Sequence, residues 1–146
     1  MITARGRLRV LVLLCIIALP GAMAGQSPSS GRTTRAGVYT PGQASRGGET
    51  YAMSCASCHT PASHAGAVFA ARWDGRPLAE LYEYIRGSMP KSEPGTLTTR
   101  EYLQVLAYLL QMNGMPGGPD ELPADTTALA KIRIDLPAAR DTTRKR

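Results

Sequence analysis

The sequence predicts an all-α protein. Three stretches place apolar residues at helical spacing, each opened by a cap or a proline, and no stretch alternates polar with apolar residues as a half-buried strand does. The chain also has one Trp and one Phe. Its prospective ordered part, about 80–100 residues, therefore builds only a modest core from side chains alone, and a large apolar group would complete it.

Residues 1–24 read as an export signal. Arg5, Arg7 and Arg9 precede an apolar run from Val10 to Leu19, and Ala22-Met23-Ala24 supplies small residues for cleavage after Ala24. Pro20 and Gly21 interrupt that run at about half the length of a bilayer-spanning helix. Cys15 lies inside it and is expected to leave with the signal, and no membrane span is expected to remain. Residues 25–37, GQSPSSGRTTRAG from Gly25, are small and polar, and are expected to form a flexible leader.

The first helix is predicted from Pro41 to Ser54, with Thr40 as N-cap and Pro41 at the first helical position. Gly47 and Gly48 weaken it but would let another helix approach closely. The second opens at Pro77, aligns Leu78, Leu81, Tyr82 and Ile85 on one face, and is expected to end at Gly87. The third carries a capping-box pattern at Thr98 and Glu101, a stripe of Tyr102, Val105, Leu106 and Leu109, and a stop at Gly114. Residues 38–115 are thus predicted as one domain. Residues 116–146 form a Pro/Gly-rich extension with one short helix near Asp125 to Ala130, then Ile132 and Ile134 draping over the domain, then a frayed basic end from Asp141.

The formal charge of +6 belongs largely to the ends of the chain, for residues 49–120 hold five basic and seven acidic side chains. No basic stripe is present to neutralise phosphates, so nucleic acid is excluded as a partner. Without Cys15, two cysteines remain, Cys55 and Cys58, too close together for a disulfide between them to constrain much of the unfolded chain.

Cys55-Ala56-Ser57-Cys58-His59 has the spacing of a c-type haem attachment site. At the end of a helix, cysteines three apart project to one side and reach both vinyl groups of one porphyrin. His59 then presents its imidazole to the iron, and Ala56 and Ser57 let the ring lie against the backbone. Two other chemistries compete for the same residues. A dithiol redox pair would be expected beside a βαβ pattern, which the chain lacks. A zinc site of Cys55, Cys58, His59 and His64 would strain a tetrahedral shell at the adjacent Cys58 and His59.

A closed iron needs a sixth ligand, and the candidates are Met53, Met89, Met112, Met115 and His64. Met53 is too near the attachment site to cross the ring, Met112 lies on the third helix, where packing is the commoner role, and His64 lies in a short loop. Met89 follows a helix end, is stiffened by Pro90, and is turned again by Pro94-Gly95. It is therefore the candidate ligand, with Met115, also followed by a proline, as its rival.

CASCH, WDGRPLAELYEYIRGSMP, PGTLTTREYLQVLAYLLQMNG and ELPADTTALAKIRI together resemble the small class I cytochromes c, nearest to haem domains that accompany quinone-cofactor dehydrogenases of the bacterial periplasm. The resemblance runs from Val38 to Ile134. It implies a cytochrome c-like fold, three main helices around one covalent haem c, with the first and last crossing where Gly47 and Tyr51 meet Val105 and Tyr108. It also implies a periplasmic location. The family's usual proline, whose carbonyl receives the N–H of the iron-bound imidazole, is not found between His59 and Trp73; any carbonyl in the loop, including that of Pro61 or Ala65, could substitute.

The expected function follows. The haem iron is bound by His59 and Met89, the ring is bonded to Cys55 and Cys58, and Trp73 packs either at the ring's edge, with the indole N–H available to a propionate, or simply in the core. The protein carries single electrons, alone or as the non-catalytic haem subunit of a dehydrogenase, with a redox protein as partner, a periplasmic dehydrogenase or a terminal oxidase. The chain shows no catalytic constellation. The alternative is a haem enzyme or ligand sensor with an open sixth position.

Overall fold

The computed structural model describes residues 31–137; the export signal with its cleavage site, Cys15, residues 25–30 of the leader and the basic end from Asp141 lie outside the described residues. Helix α1 spans Pro41–Ser54, and the Thr40 hydroxyl caps it by accepting from the Gln43 amide at 3.0 Å. Helix α4, Thr99–Met112, crosses α1 in the most extensive helix pair of the fold. The crossing depends on Gly47, where a Cβ would lie 1.8 Å from the Gln104 carbonyl oxygen. Tyr108 covers Gly47 and Gly48 and meets the Tyr51 ring at 5.3 Å, as the resemblance implied. The backbone nearest Gly47 is that of Gln104, while Val105 lines a cavity on the other side of α4 from solvent-exposed Arg100 and Gln111.

The start of α4 is fixed by the expected capping box: the Glu101 amide donates to the Thr98 hydroxyl at 3.3 Å, and the Thr98 amide donates to the Glu101 carboxylate at 2.7 Å. Those bonds from Thr98 hold the Glu101 carboxyl below its usual range. A carboxyl depressed by folding stabilises above its unfolded pKa, and that gain is lost as pH falls through the folded value. Thr98→Ala is expected to cost about 1 kcal/mol at neutral pH, roughly 4–8 °C in Tm for a domain of this size. The gap between variant and parent should narrow in acid. Thermal melts at neutral and acid pH check both expectations, and a gap that widens in acid would contradict the linkage.

Helix α3, Leu78–Ser88, buries Leu78, Leu81, Tyr82 and Ile85, the predicted face. It does not stop at Gly87 but continues to Ser88, with Met89 as its C-cap. The Met89 amide still bonds the Ile85 carbonyl at 2.9 Å, and termination comes from Pro90, which holds the residue before it extended. A helix not predicted, α2, spans Gly66–Trp73 and buries Phe69 and Trp73, four residues apart, on one side. Two short 3-10 turns, Thr34–Ala36 and Pro61–His64, complete the first part of the chain. The described residues contain no strand, only isolated bridges, so the architecture is all-helical.

The C-terminal extension packs as a strap. Helix α5, Thr126–Ala130, is capped by Asp125, and Ile132 and Ile134 beyond it are buried. Their backbones bind the turn between α2 and α3: Leu78 donates to Ile132, Gly75 to Ile134 and Ile134 to Arg76, each at 2.8 Å. The strap also corrects the expectation of a flexible leader at its C-terminal end. The Thr34 amide donates to the Arg133 carbonyl at 3.0 Å, and the Thr34 hydroxyl, fully buried, accepts from the Asp135 amide at 2.9 Å. The polar composition of that segment gave no sign of this partner a hundred residues away.

Candidate functional site

A cavity of about 420 Å³ opens between the C-terminal end of α1, the turn Pro61–His64, helices α2 and α3, the residues after α3, and the Val105 and Leu109 face of α4. Cys55, Cys58, His59, Trp73 and Met89, the five site residues expected from the sequence, all line it. The chain keeps turning after α1, with the amides of Cys58 and His59 donating to the Cys55 carbonyl at 3.1 and 3.0 Å. That turn presents both thiols to one cavity. They are free, Cys55 half-buried and Cys58 exposed.

Burial pushes the Cys55 thiol above its ordinary pKa, which disfavours its thiolate. Among the described residues no group of three or more His, Cys, Asp or Glu is arranged to hold a metal ion. The donor set instead suits haem c: two thiols at attachment spacing, an imidazole beside them, a thioether lining the same cavity, and a mostly apolar lining. Arg72 and Lys91 also line the cavity and bring positive charge to it.

His59 is held through its backbone, its carbonyl accepting from the Tyr51 hydroxyl at 3.3 Å. The His64 ring lies 4.6 Å from that of His59, half-buried rather than exposed. Burial first, and the neighbouring His59 second, lower its pKa. As a neighbour of His59, His64 shares that histidine's side of the cavity and is not placed to serve an opposite face.

Of the other methionines, Met53 is 78% exposed, Met115 is 2% exposed in the core, and neither these nor Met112 lines the cavity. The Met115 carbonyl accepts the Tyr39 hydroxyl at 2.6 Å, which anchors it away from the site. Met89 is the methionine in the wall.

Trp73, 7% exposed, is packed by cations on its face, with the Arg72 and Arg76 guanidinium carbons 5.1 and 5.2 Å from the ring centroid, and by Tyr84 at 5.5 Å. A residue outside every motif, Asn113, staples the segment after the attachment motif. Its amide nitrogen donates to the carbonyls of His64 at 2.9 Å and Leu109 at 2.8 Å, and its oxygen accepts from the Gly66 amide at 3.0 Å. One side chain thus joins the end of α4 to both the His64 turn and the start of α2. An Asn just before the helix-stopping Gly114 was the only clue.

Residues 42–109 match the family model described as Cytochrome C oxidase, cbb3-type, subunit III. Neither the curated proteins nor the solved structures offer a match to this chain.

Proposed function

The chain belongs, through residues 42–109, to the cytochrome c domains of that oxidase-subunit family, mono-haem c-type cytochromes with haem c bonded to Cys55 and Cys58, and we propose that its iron is closed by His59 and Met89. Such a domain is an electron carrier rather than a catalyst. Bound haem supplies reversible one-electron exchange between ferrous and ferric iron.

The chain's residues set the conditions for that exchange. The two cysteines would hold the ring, and the imidazole of His59 and the thioether of Met89, a soft donor that favours the ferrous state, would hold its iron. The apolar wall lowers the local dielectric and limits water. Arg72 and Lys91 would offset propionate charge, and Trp73 would pack against the ring's edge.

No helix among the described residues is long and apolar enough to cross a membrane. We place the protein in the periplasm after cleavage behind Ala24, with residues 38–115 as the haem domain and the following strap, through residue 137, as its brace. The redox partner is a protein; the family's description favours an oxidase over a dehydrogenase.

The observation that carries the closed-iron reading is the position of Met89, in the wall of the cavity that His59 also lines. Ferrous protein is expected to titrate reversibly with one electron and to show no spectral change within the mixing time when carbon monoxide is added. Rapid stoichiometric carbon monoxide binding would instead mark an open-site haem enzyme or gas sensor.

A further inference from the structure

Met89 and Pro90 are half-buried, with Met89 against the core, but the rest of the segment has little packing of its own, since residues 91–96 are all exposed. Its internal bonds are local turns: Glu93 amide to Pro90 carbonyl at 3.0 Å, and Thr96 hydroxyl to Glu93 carbonyl at 2.8 Å. A thioether on such a loop would move with the loop unless something rigid held both ends.

One side chain does hold both. The Tyr102 hydroxyl donates to the Met89 carbonyl at 2.7 Å and accepts from the Gly95 amide at 3.0 Å. Among the described residues it is the only side chain outside the loop that hydrogen-bonds to residues 89–96. Gly95 adopts φ +82°, a left-handed conformation natural to glycine, and in it directs its N–H to the phenol. The phenol itself does not wander: Tyr102 is 1% exposed and stands in the first turns of α4, whose start the Thr98–Glu101 capping box fixes.

We propose that Tyr102 is the positioning residue for the sixth iron ligand: its buried hydroxyl clamps the Met89 carbonyl and the Gly95 amide, and so slows release of the thioether from iron. This rests on the assignment of Met89 as ligand. The hydroxyl touches neither haem nor sulfur; it acts through the main chain of the residue that bears the sulfur. A general packing role predicts lower stability alone, whereas a clamp predicts a change in how often the iron is exposed.

The test is the rate of cyanide binding to ferric holoprotein at saturating cyanide, where the rate equals that of thioether release. Tyr102→Phe keeps the ring and removes both bonds, and is expected to raise the limiting rate about tenfold. Met89→Ala should bind cyanide at once, lose the weak red-end ferric charge-transfer band and lower the reduction potential. Adding Tyr102→Phe to Met89→Ala should then change the rate no further. If Met89→Ala binds cyanide as slowly as the parent, the ligand assignment falls, and the clamp with it. If Met89→Ala is fast but Tyr102→Phe is unchanged, the clamp alone falls. If Tyr102→Phe speeds binding equally in both backgrounds, the residue does not act through Met89. Hydrogen exchange of the Gly95 amide in the unaltered ferrous protein tests the clamp without a variant: protection supports it, and exchange at the free-peptide rate overturns it.

Discussion

Protein with both Cys55 and Cys58 replaced by alanine is expected to be colourless and largely unfolded, while the parent keeps its colour through acid–acetone extraction and carries one haem per chain. The reason is the size of the haem cavity in so small a fold. Leaving about 420 Å³ unfilled, at about 24 cal/mol per Å³, costs up to about 10 kcal/mol. That is comparable with the whole stability of a domain, about 5–15 kcal/mol. The cavity is open on one side, so water would recover part of this cost, but its walls are largely apolar side chains from α2, α3 and α4, which gain nothing from that water. Circular dichroism and urea titration of the double variant check the expectation. A colourless protein with full helicity and a cooperative transition would show that the helices hold one another without the ring.

Gly47→Ala is expected to damage the fold from the opposite direction, by excess volume. The new methyl carbon would sit 1.8 Å from a backbone oxygen of α4, and neither partner is a flexible side-chain end. The helices must part by more than an ångström. Overpacking of this kind costs about 1–3 kcal/mol or more, which lowers Tm by roughly 10 °C in a domain of this size. Gly42 on the same helix provides the contrast, for a Cβ there meets nothing nearer than the Arg46 guanidinium at 3.6 Å. Gly42→Ala should leave Tm unchanged or raise it, because alanine loses less backbone freedom on folding. Equal losses at both positions would mean that glycine content in α1, and not the crossing, limits stability.

How much of the fold the sequence revealed depended on how local its determinants are. The starts of α1 and α4 were legible because Thr40-Pro41 and Thr98 with Glu101 complete their caps within a few residues. Helix α2 was missed: eight residues offer only Phe69 and Trp73 as a periodic signal, too short to distinguish from a loop. The end of the leader was misjudged because Thr34 finds its partners in residues 133–135.

The site divides in the same way. The CASCH motif is contiguous, so Cys55, Cys58 and His59 could be read directly. Met89 and Met115 are both followed by proline, and what separates them in space is where the chain takes them, one into the cavity wall and the other beneath Tyr39. Asn113 and Tyr102 carry no motif. Asn113 reaches His64 across 49 positions and Tyr102 reaches Met89 across 13, and each matters through main-chain groups that any residue would offer.

The place of Trp73 also makes the protein its own optical gauge. It is the only tryptophan in the sequence, and it stands in the wall of the haem cavity. Indole emission overlaps the strong absorption of a porphyrin, so energy passes to the haem and the native protein is dark. The tether at Cys55 and Cys58 keeps the chromophore on the chain after unfolding, and emission then grows with the separation of the indole from the ring. Fluorescence intensity therefore reports the spacing between α2 and the attachment motif, with no added label and no second tryptophan to obscure it.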